Sequence, residues 1–322
     1  MPKKASRKEK DESNSKNKDE EDDSKFLELF EKSVISSEYY EEEQLIIEDQ
    51  YEMAYEGIMD AYNAGLYAGL IGPVGVGKTA LCRKVAQDLK RGFYWVTFSD
   101  LVRPSTLIGS FDPTLVFKVG YSPKSFVPGP FTLACLEGAV FLANEFNRGD
   151  EYVLNSLLDA LEERRLYIPQ LRTWVKVHED FFFITAMNPV ELKGTRSLPQ
   201  AVKDRIKVWC RLTYPSRKTE EKIVVSKCPE ADLDGNALDL ILDLVQRCRS
   251  YQKIEKPPSI RSSIGIAKML VSRMKRENIT KPTNDLIAQV ASLVLPEAIE
   301  VLPGMNAVEV VKELCIEVLG FG

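Results

Sequence analysis

Five runs of almost uninterrupted apolar residues recur through the middle of the chain: residues 66–71 (LYAGLI), 93–98 (FYWVTF), 139–142 (AVFL), 181–186 (FFFITA) and 206–212 (IKVWCRL). Helical spacing separates them. A strand with one wet face alternates apolar and polar positions, whereas these runs are apolar nearly throughout. They therefore predict strands buried on both faces, in a parallel sheet covered by helices. The expected fold class is α/β with a five-stranded parallel sheet. From about Pro215 onward no strand pattern remains, and residues 219–225, 237–251, 262–275 and 285–294 read as helices. Pro257 and Pro258 interrupt this part, and Pro282, Pro296 and Pro303 punctuate it further. A boundary is expected near residues 214–217, between an α/β domain over 26–214 and an all-α lid over 215–322.

Ahead of the first strand, residues 26–62 have helical spacing and a strong acidic bias. Nine carboxylates and no lysine or arginine fall between Glu38 and Asp60. Leu45, Ile46, Met53, Ile58 and Met59 are the expected buried stripe, with the carboxylates either solvated or docking a basic neighbour. Residues 1–25 have almost no apolar side chains and read as a disordered charged tail. Its lysines would suit a nucleic-acid arm, but the acidic block at residues 19–23 competes for them.

The remaining composition mostly excludes. The 322 residues carry a net charge of −5, yet from residue 66 onward 34 basic residues face 29 acidic ones. No apolar run approaches the roughly 20 residues of a membrane span, and the N-terminus is charged, so a cytoplasmic protein is expected. The six cysteines form no C-x-x-C pair, and with a single histidine, His178, a zinc site is not expected.

Chemistry enters at the end of the first apolar run. Gly72-Pro73-Val74-Gly75-Val76-Gly77-Lys78-Thr79 fits G-x-x-x-x-G-K-[ST], the phosphate-binding loop, and helical spacing resumes from Ala80. A triphosphate is cradled by backbone N–H groups, which needs a loop bare of side chains. Lys78 is placed to reach the β- and γ-phosphates, and the Thr79 hydroxyl to ligate Mg²⁺. Strand, loop and helix occur in the order the motif requires, so a nucleotide site is expected over Gly72 to Ala80.

Hydrolysis needs more than the loop. Glu145, which ends the third apolar run, is the candidate to polarise the attacking water. Asn144 stands before it, where an aspartate would support Mg²⁺. Asn188, at the tip of the fourth run, is an amide able to bond the γ-phosphate or the lytic water, although Asn-Pro alone is more often a turn signal. Arg205 precedes the fifth run and Arg261 opens a helix of the lid. Each alone reads as a surface arginine; together they are positioned to stabilise charge on a transferred phosphoryl group.

Taken together these segments resemble the AAA+ superfamily, and within it the MoxR-type ATPases near the dynein-related and McrB branch. The phosphate loop is similar to the family's Walker A, and Phe126-Val127-Pro128-Gly129-Pro130 to its F-x-P-G-P run. Leu142-Ala143-Asn144-Glu145-Phe146-Asn147-Arg148 is similar to L-A-D-E-I-N-R. The resemblance implies ATP and Mg²⁺ as cofactors, Asn188 as sensor 1, Arg205 as the arginine finger acting in trans, and Arg261 as sensor 2. It also implies a hairpin at residues 112–125, a second at residues 165–177, and a homo-oligomeric ring, a hexamer, that remodels a protein client beside a von Willebrand A-type partner. Asn144 departs from the family's Walker B aspartate, which implies slower hydrolysis or weaker Mg²⁺ binding. Two other classes stay open: a nucleic-acid motor or loader, and an ATP-gated scaffold with slow turnover.

Overall fold

The computed structural model describes residues 45–189, 197–231 and 236–320. The expected charged tail, and the helical pattern up to residue 44, lie outside them. Helix α1 (Gln50–Asn63) leads into strand β1 (Tyr67–Ile71), and the phosphate loop joins β1 to helix α2 (Lys78–Asp88). β2 (Phe93–Thr97) is followed by α3 (Pro104–Ile108), β3 (Gly109–Phe111), α4 (Pro113–Val119), β4 (Phe126–Pro128) and α5 (Pro130–Glu137). Next come β5 (Val140–Asn144), α6 (Glu151–Asn155) and α7 (Leu158–Glu162). The hairpin β6 (Arg165–Ile168) and β7 (Thr173–Lys176) precedes β8 (Phe182–Met187), α8 (Gln200–Lys203) and β9 (Ile206–Arg211).

The five apolar runs form one parallel sheet in the order β2-β5-β8-β1-β9. Every residue of β8 and four of five in β5 are buried, as strands covered on both faces require. Edge-to-face contacts among Phe131, Phe141, Phe181 and Phe183 fill one side of the sheet. Register matters more for function. Ile71 pairs with Met187, and Asn144 with Ala186, so the carboxyl ends of β1, β8 and β5 finish side by side. Ligands of open α/β sheets bind outside such carboxyl ends.

The C-terminal part comprises α9 (Arg217–Lys227), α10 (Ala237–Ser250), β10 (Ile254–Lys256), α11 (Ile260–Glu277), α12 (Asn284–Val294), β11 (Glu300–Val301) and α13 (Ala307–Leu319). The helices share one apolar core, with Ile241, Leu242, Leu270, Ile287, Val311 and Leu314 at its centre. No helix among the described residues is long and apolar enough to cross a membrane. All six cysteines are free, and burial pushes the Cys248 thiol up to about 12.

Three expectations need correction. The lid does contain strands: β10 and β11 pair antiparallel, Ile254 with Val301 and Lys256 with Glu300. They are short and charged, so no apolar run announces them. The expected hairpin at residues 112–125 is instead helix α4 followed by a turn, with its flanking strands β3 and β4 just outside those residues. Pro113 takes the first helical position, and the Asp112 carboxylate accepts from the Leu115 N–H, which starts a helix rather than a strand. Finally, the buried stripe of α1 is Tyr51, Ala54, Ile58 and Ala61, while Met53 is 76 % exposed. Part of the acidic bias is spent internally, because Asp49 accepts from Ser216 and Thr219 and Glu48 pairs with Lys222, tying the leading segment to α9.

Candidate nucleotide site

The site grows from the end of β1. Gly75 and Gly77 are left-handed, at φ +78° and +88°, a region costly for side chains with a Cβ. A Cβ on Gly75 would also lie 2.6 Å from the Cβ of Ser259 in the lid. Glycine there keeps the loop's backbone bare and lets the lid close on it. Helix α2 starts at Lys78, so its unsatisfied N–H groups and positive dipole end face the loop.

Lys78 is buried and uses all three ammonium protons. Nζ donates to the carbonyls of Gly72 at 2.6 Å and Pro73 at 2.8 Å, and to Asn188 Oδ1 at 3.0 Å. Burial pulls its pKa down to about 8, opposed by the Glu145 carboxylate and assisted by the Arg261 charge. The three acceptors require the charged form, which a value near 8 preserves at neutral pH.

Asn188 connects this ammonium to the carboxylate. Its side chain is buried, and while Oδ1 accepts from Lys78, Nδ2 donates to Glu145 Oε1 at 3.1 Å. Asn147, also buried, donates from Nδ2 to the Asn188 carbonyl at 3.1 Å and fixes that strand tip. Glu145 itself sits at φ +55°, an uncommon conformation for a residue other than glycine. Its Oε2 lies 2.5 Å from Arg148 Nε, though neither atom has a hydrogen bond of normal geometry, so the contact is one of charge. Asn144 turns its Nδ2 away to donate to Thr97 Oγ1 at 3.2 Å.

These groups line a cavity of about 520 Å³ between the loop and the helical part. It gathers Val74 to Ala80, Asn144, Glu145, Asn188 and Arg261. Arg205 does not line it; instead it forms an ion pair with Glu162 and donates to the Ala201 carbonyl at 3.1 Å. Sequence reasoning missed the apolar wall of Leu45, Ile46, Ile223, Ile260 and Ile264, which suits a planar base. The apolar pair Leu45–Ile46 within an acidic stretch is the one sign of it in the sequence. Among the described residues no three His, Cys, Asp or Glu side chains cluster as a metal cage. Thr79, Asn144 and Glu145, all on the cavity, carry oxygens of the kind that suits Mg²⁺, which binds through few protein ligands, phosphates and water.

Comparisons with known proteins agree with this architecture. The profile described as "AAA domain (dynein-related subfamily)" matches residues 69–206. The gas vesicle ATPase GvpN of Haloferax mediterranei is 30 % identical over 274 residues, covering 80 % of this chain and 78 % of that protein. This chain belongs to the AAA+ ATPases of the dynein-related, MoxR-like branch. Chaperone MoxR1 of Mycobacterium tuberculosis is 29 % identical over 155 residues, or 48 % of this AAA+ chain and 38 % of its own. A Thermotoga maritima RuvB structure shares the fold, with a TM-score of 0.51 at 17 % identity, over 76 % of this chain and 68 % of that one. The AAA+ architecture is consistent with nucleotide hydrolysis, and its P-loop fold with ATP and Mg²⁺ binding.

Proposed function

We propose that this AAA+ chain binds ATP with Mg²⁺ between its α/β core and helical lid, hydrolyses it, and works as one subunit of a ring, a hexamer, that remodels a protein partner. The observation that supports the reading is the relay Lys78–Asn188–Glu145, in which one amide joins an ammonium and a carboxylate that lie 110 and 43 residues from it in the chain. Lys78 would exchange its two loop carbonyls for phosphate oxygens. Glu145 would take a proton from the attacking water while Asn188 holds both groups in line. Mg²⁺ would supply charge neutralisation of the phosphates, held by the Thr79 hydroxyl and, through water, by Asn144. Arg261 would reach the terminal phosphate from the lid, and Arg205, released from Glu162, that of the neighbouring subunit.

The partner reading rests on kinship with a gas vesicle ATPase and a chaperone, and on one surface. The hairpin β6–β7 is tied to the β3–β4 insert by Gln170 Nε2, which donates to the Gly109 carbonyl at 3.2 Å. Together they expose Phe117 (92 %), Tyr121 (80 %) and Trp174 (49 %), with Lys118, Lys124, Arg165, Arg172 and Lys176 among them. Residues 113–128 and 165–177 contain no carboxylate. Such a face would grip an apolar polypeptide segment with acidic residues, the protein acting beside a von Willebrand A-type partner. The same surface favours a second reading, a nucleic-acid motor, which a salt-sensitive shift of single-stranded or duplex DNA would establish. The deciding test of the main reading combines phosphate release with mass measurement: ATP should bring turnover and a ring. Absence of both would overturn it.

Two further outcomes follow. Asn144 Nδ2 is engaged by Thr97, so with Mg²⁺ bound the amide would offer a metal-bound water only its uncharged oxygen. Asn144→Asp should raise turnover several-fold, roughly up to tenfold, and lower the Mg²⁺ needed for half-maximal rate. Unchanged turnover and Mg²⁺ dependence would show that the amide does not limit the enzyme. The second concerns pH. Only protonated Lys78 attracts phosphate, and its proton is lost above about pH 8. The dissociation constant for ATP should therefore rise about tenfold for each pH unit above that value. A flat profile from pH 7 to 10 in a fluorescent-nucleotide titration would contradict the assignment.

A further inference from the structure

Glu220, on α9, is a carboxylate with no solvent exposure. The Arg249 guanidinium, in the last turn of α10, donates to it through Nη1 at 2.5 Å and Nη2 at 2.9 Å. Ser263, in the first turn of α11, donates its hydroxyl to Glu220 Oε1 at 2.6 Å. One ion pair thus joins three helices of the lid. Arg249 is also covered by the Tyr214 ring, 4.3 Å from its centroid, in the connection that leads from β9 to α9. A buried ion pair is a poor way to gain stability, since apolar side chains of similar volume usually do as well or better. Its geometry indicates another use.

That use lies in the third donor. Arg249 Nε donates to the Pro258 carbonyl at 3.1 Å. The next residue, Ser259, caps α11 and packs on Gly75 of the phosphate loop. Two residues further on, Arg261 enters the nucleotide cavity. From α1, the buried Tyr51 phenol donates to the Val76 carbonyl of the same loop at 2.9 Å. Burial first, and the Glu220 charge second, push that phenol up to about 12, with Arg249 opposing. The ion pair therefore touches the start of α11 at Pro258 and Ser263, and its charges act on Tyr51, which bonds the loop. Neither Glu220 nor Arg249 lines the cavity.

We propose that Glu220 and Arg249 are positioning residues: the pair, through Pro258 and Ser263, sets where α11 begins against the phosphate loop and so aims Arg261 at the terminal phosphate of ATP. The proposal rests on the reading that ATP occupies the cavity. Arginine is required at 249 because its planar fork serves the carboxylate with two N–H groups and still spares Nε for Pro258. A lysine ammonium keeps the charge but lacks the planar fork that meets both carboxylate oxygens and the Pro258 carbonyl in fixed directions.

The test uses the full chain and measures dissociation constants for ATP and ADP, with unfolding midpoints alongside. Arg261→Ala should reduce the preference for ATP over ADP about tenfold, the size of one lost charge-assisted hydrogen bond. The double variant Glu220→Leu/Arg249→Met leaves no charge unpaired. It should unfold near the wild-type midpoint, bind ADP within about twofold of wild type, and lose the same tenfold preference. Adding Arg261→Ala to it should cost nothing more, since both changes remove one interaction. Arg249→Lys should lose the preference too, and it decides the matter if the double variant does not fold. A folded variant that keeps the wild-type ATP preference, or losses that add, would overturn the positioning role while leaving the ATP site standing. A wild-type chain that binds neither nucleotide would overturn both.

Discussion

Lys78→Ala is expected to weaken ATP binding by more than about 100-fold, from the loss of charge-assisted contacts to two phosphates at about 1.5–3 kcal/mol each. The loop's glycines and the α2 dipole remain in the variant, but they offer only partial charges. Removing the ammonium also leaves the Gly72 and Pro73 carbonyls and Asn188 Oδ1 without the donor they now share. Stability should respond differently from binding. The native pKa of Lys78 is depressed, to about 8, so the buried charge opposes folding at neutral pH. Between about pH 8 and the ordinary lysine value, the unfolded chain holds a proton that the native chain has lost, and stability rises with pH. The variant should lose that rise while its neutral-pH unfolding midpoint stays close to wild type, the relief of the charge offsetting the lost hydrogen bonds. Calorimetric titration with ATP gives the first quantity and urea unfolding across pH the second. Binding within threefold of wild type would remove Lys78 from the phosphate site.

Glu145→Gln separates binding from chemistry. Glutamine keeps the size of the side chain and an oxygen that can accept from Asn188 Nδ2, so the relay to Lys78 is preserved. It cannot accept a proton from water. Turnover should fall by a factor of about 10²–10⁴, the usual worth of a positioned general base, while ATP affinity changes by no more than a few-fold. The ring should then persist with ATP bound, visible as a stable high-mass species retaining uncleaved nucleotide. The Arg148 contact with Glu145 Oε2 also weakens in this variant, and a loss of ATP affinity alongside turnover would point to that pairing instead. Turnover at the wild-type rate would exclude Glu145 as the base.

Much of this arrangement is visible without coordinates, and the reason differs from element to element. The phosphate loop is contiguous, so its glycines, Lys78 and Thr79 announce themselves by spacing alone. The strands were legible because burial on both faces leaves an apolar run: residues 139–142 mark β5, and residues 181–186 mark β8 almost to the residue. By contrast, β10 and β11 bury little and pair across more than 40 residues, so nothing local reports them. The apolar wall of the cavity escaped for a related reason. Leu45 and Ile46 precede α1, whereas Ile223 lies on α9 and Ile264 on α11. In the sequence Ile223 and Ile264 are each one more apolar residue with an ordinary helical neighbourhood.

The amino-acid sequence alone determined the α/β class, the parallel sheet, the position of the phosphate loop and the residue types able to serve a triphosphate. Each of these is written in local periodicity or contiguous spacing, because strand burial and loop conformation are local demands. Tertiary structure decided which of the candidates meet. It placed Asn188 between Lys78 and Glu145, kept Arg205 on Glu162 and off the cavity, and buried Glu220 against Arg249 and Ser263. Those relations depend on sheet order and on how three helices converge, and such long-range pairings leave no periodic trace along the chain.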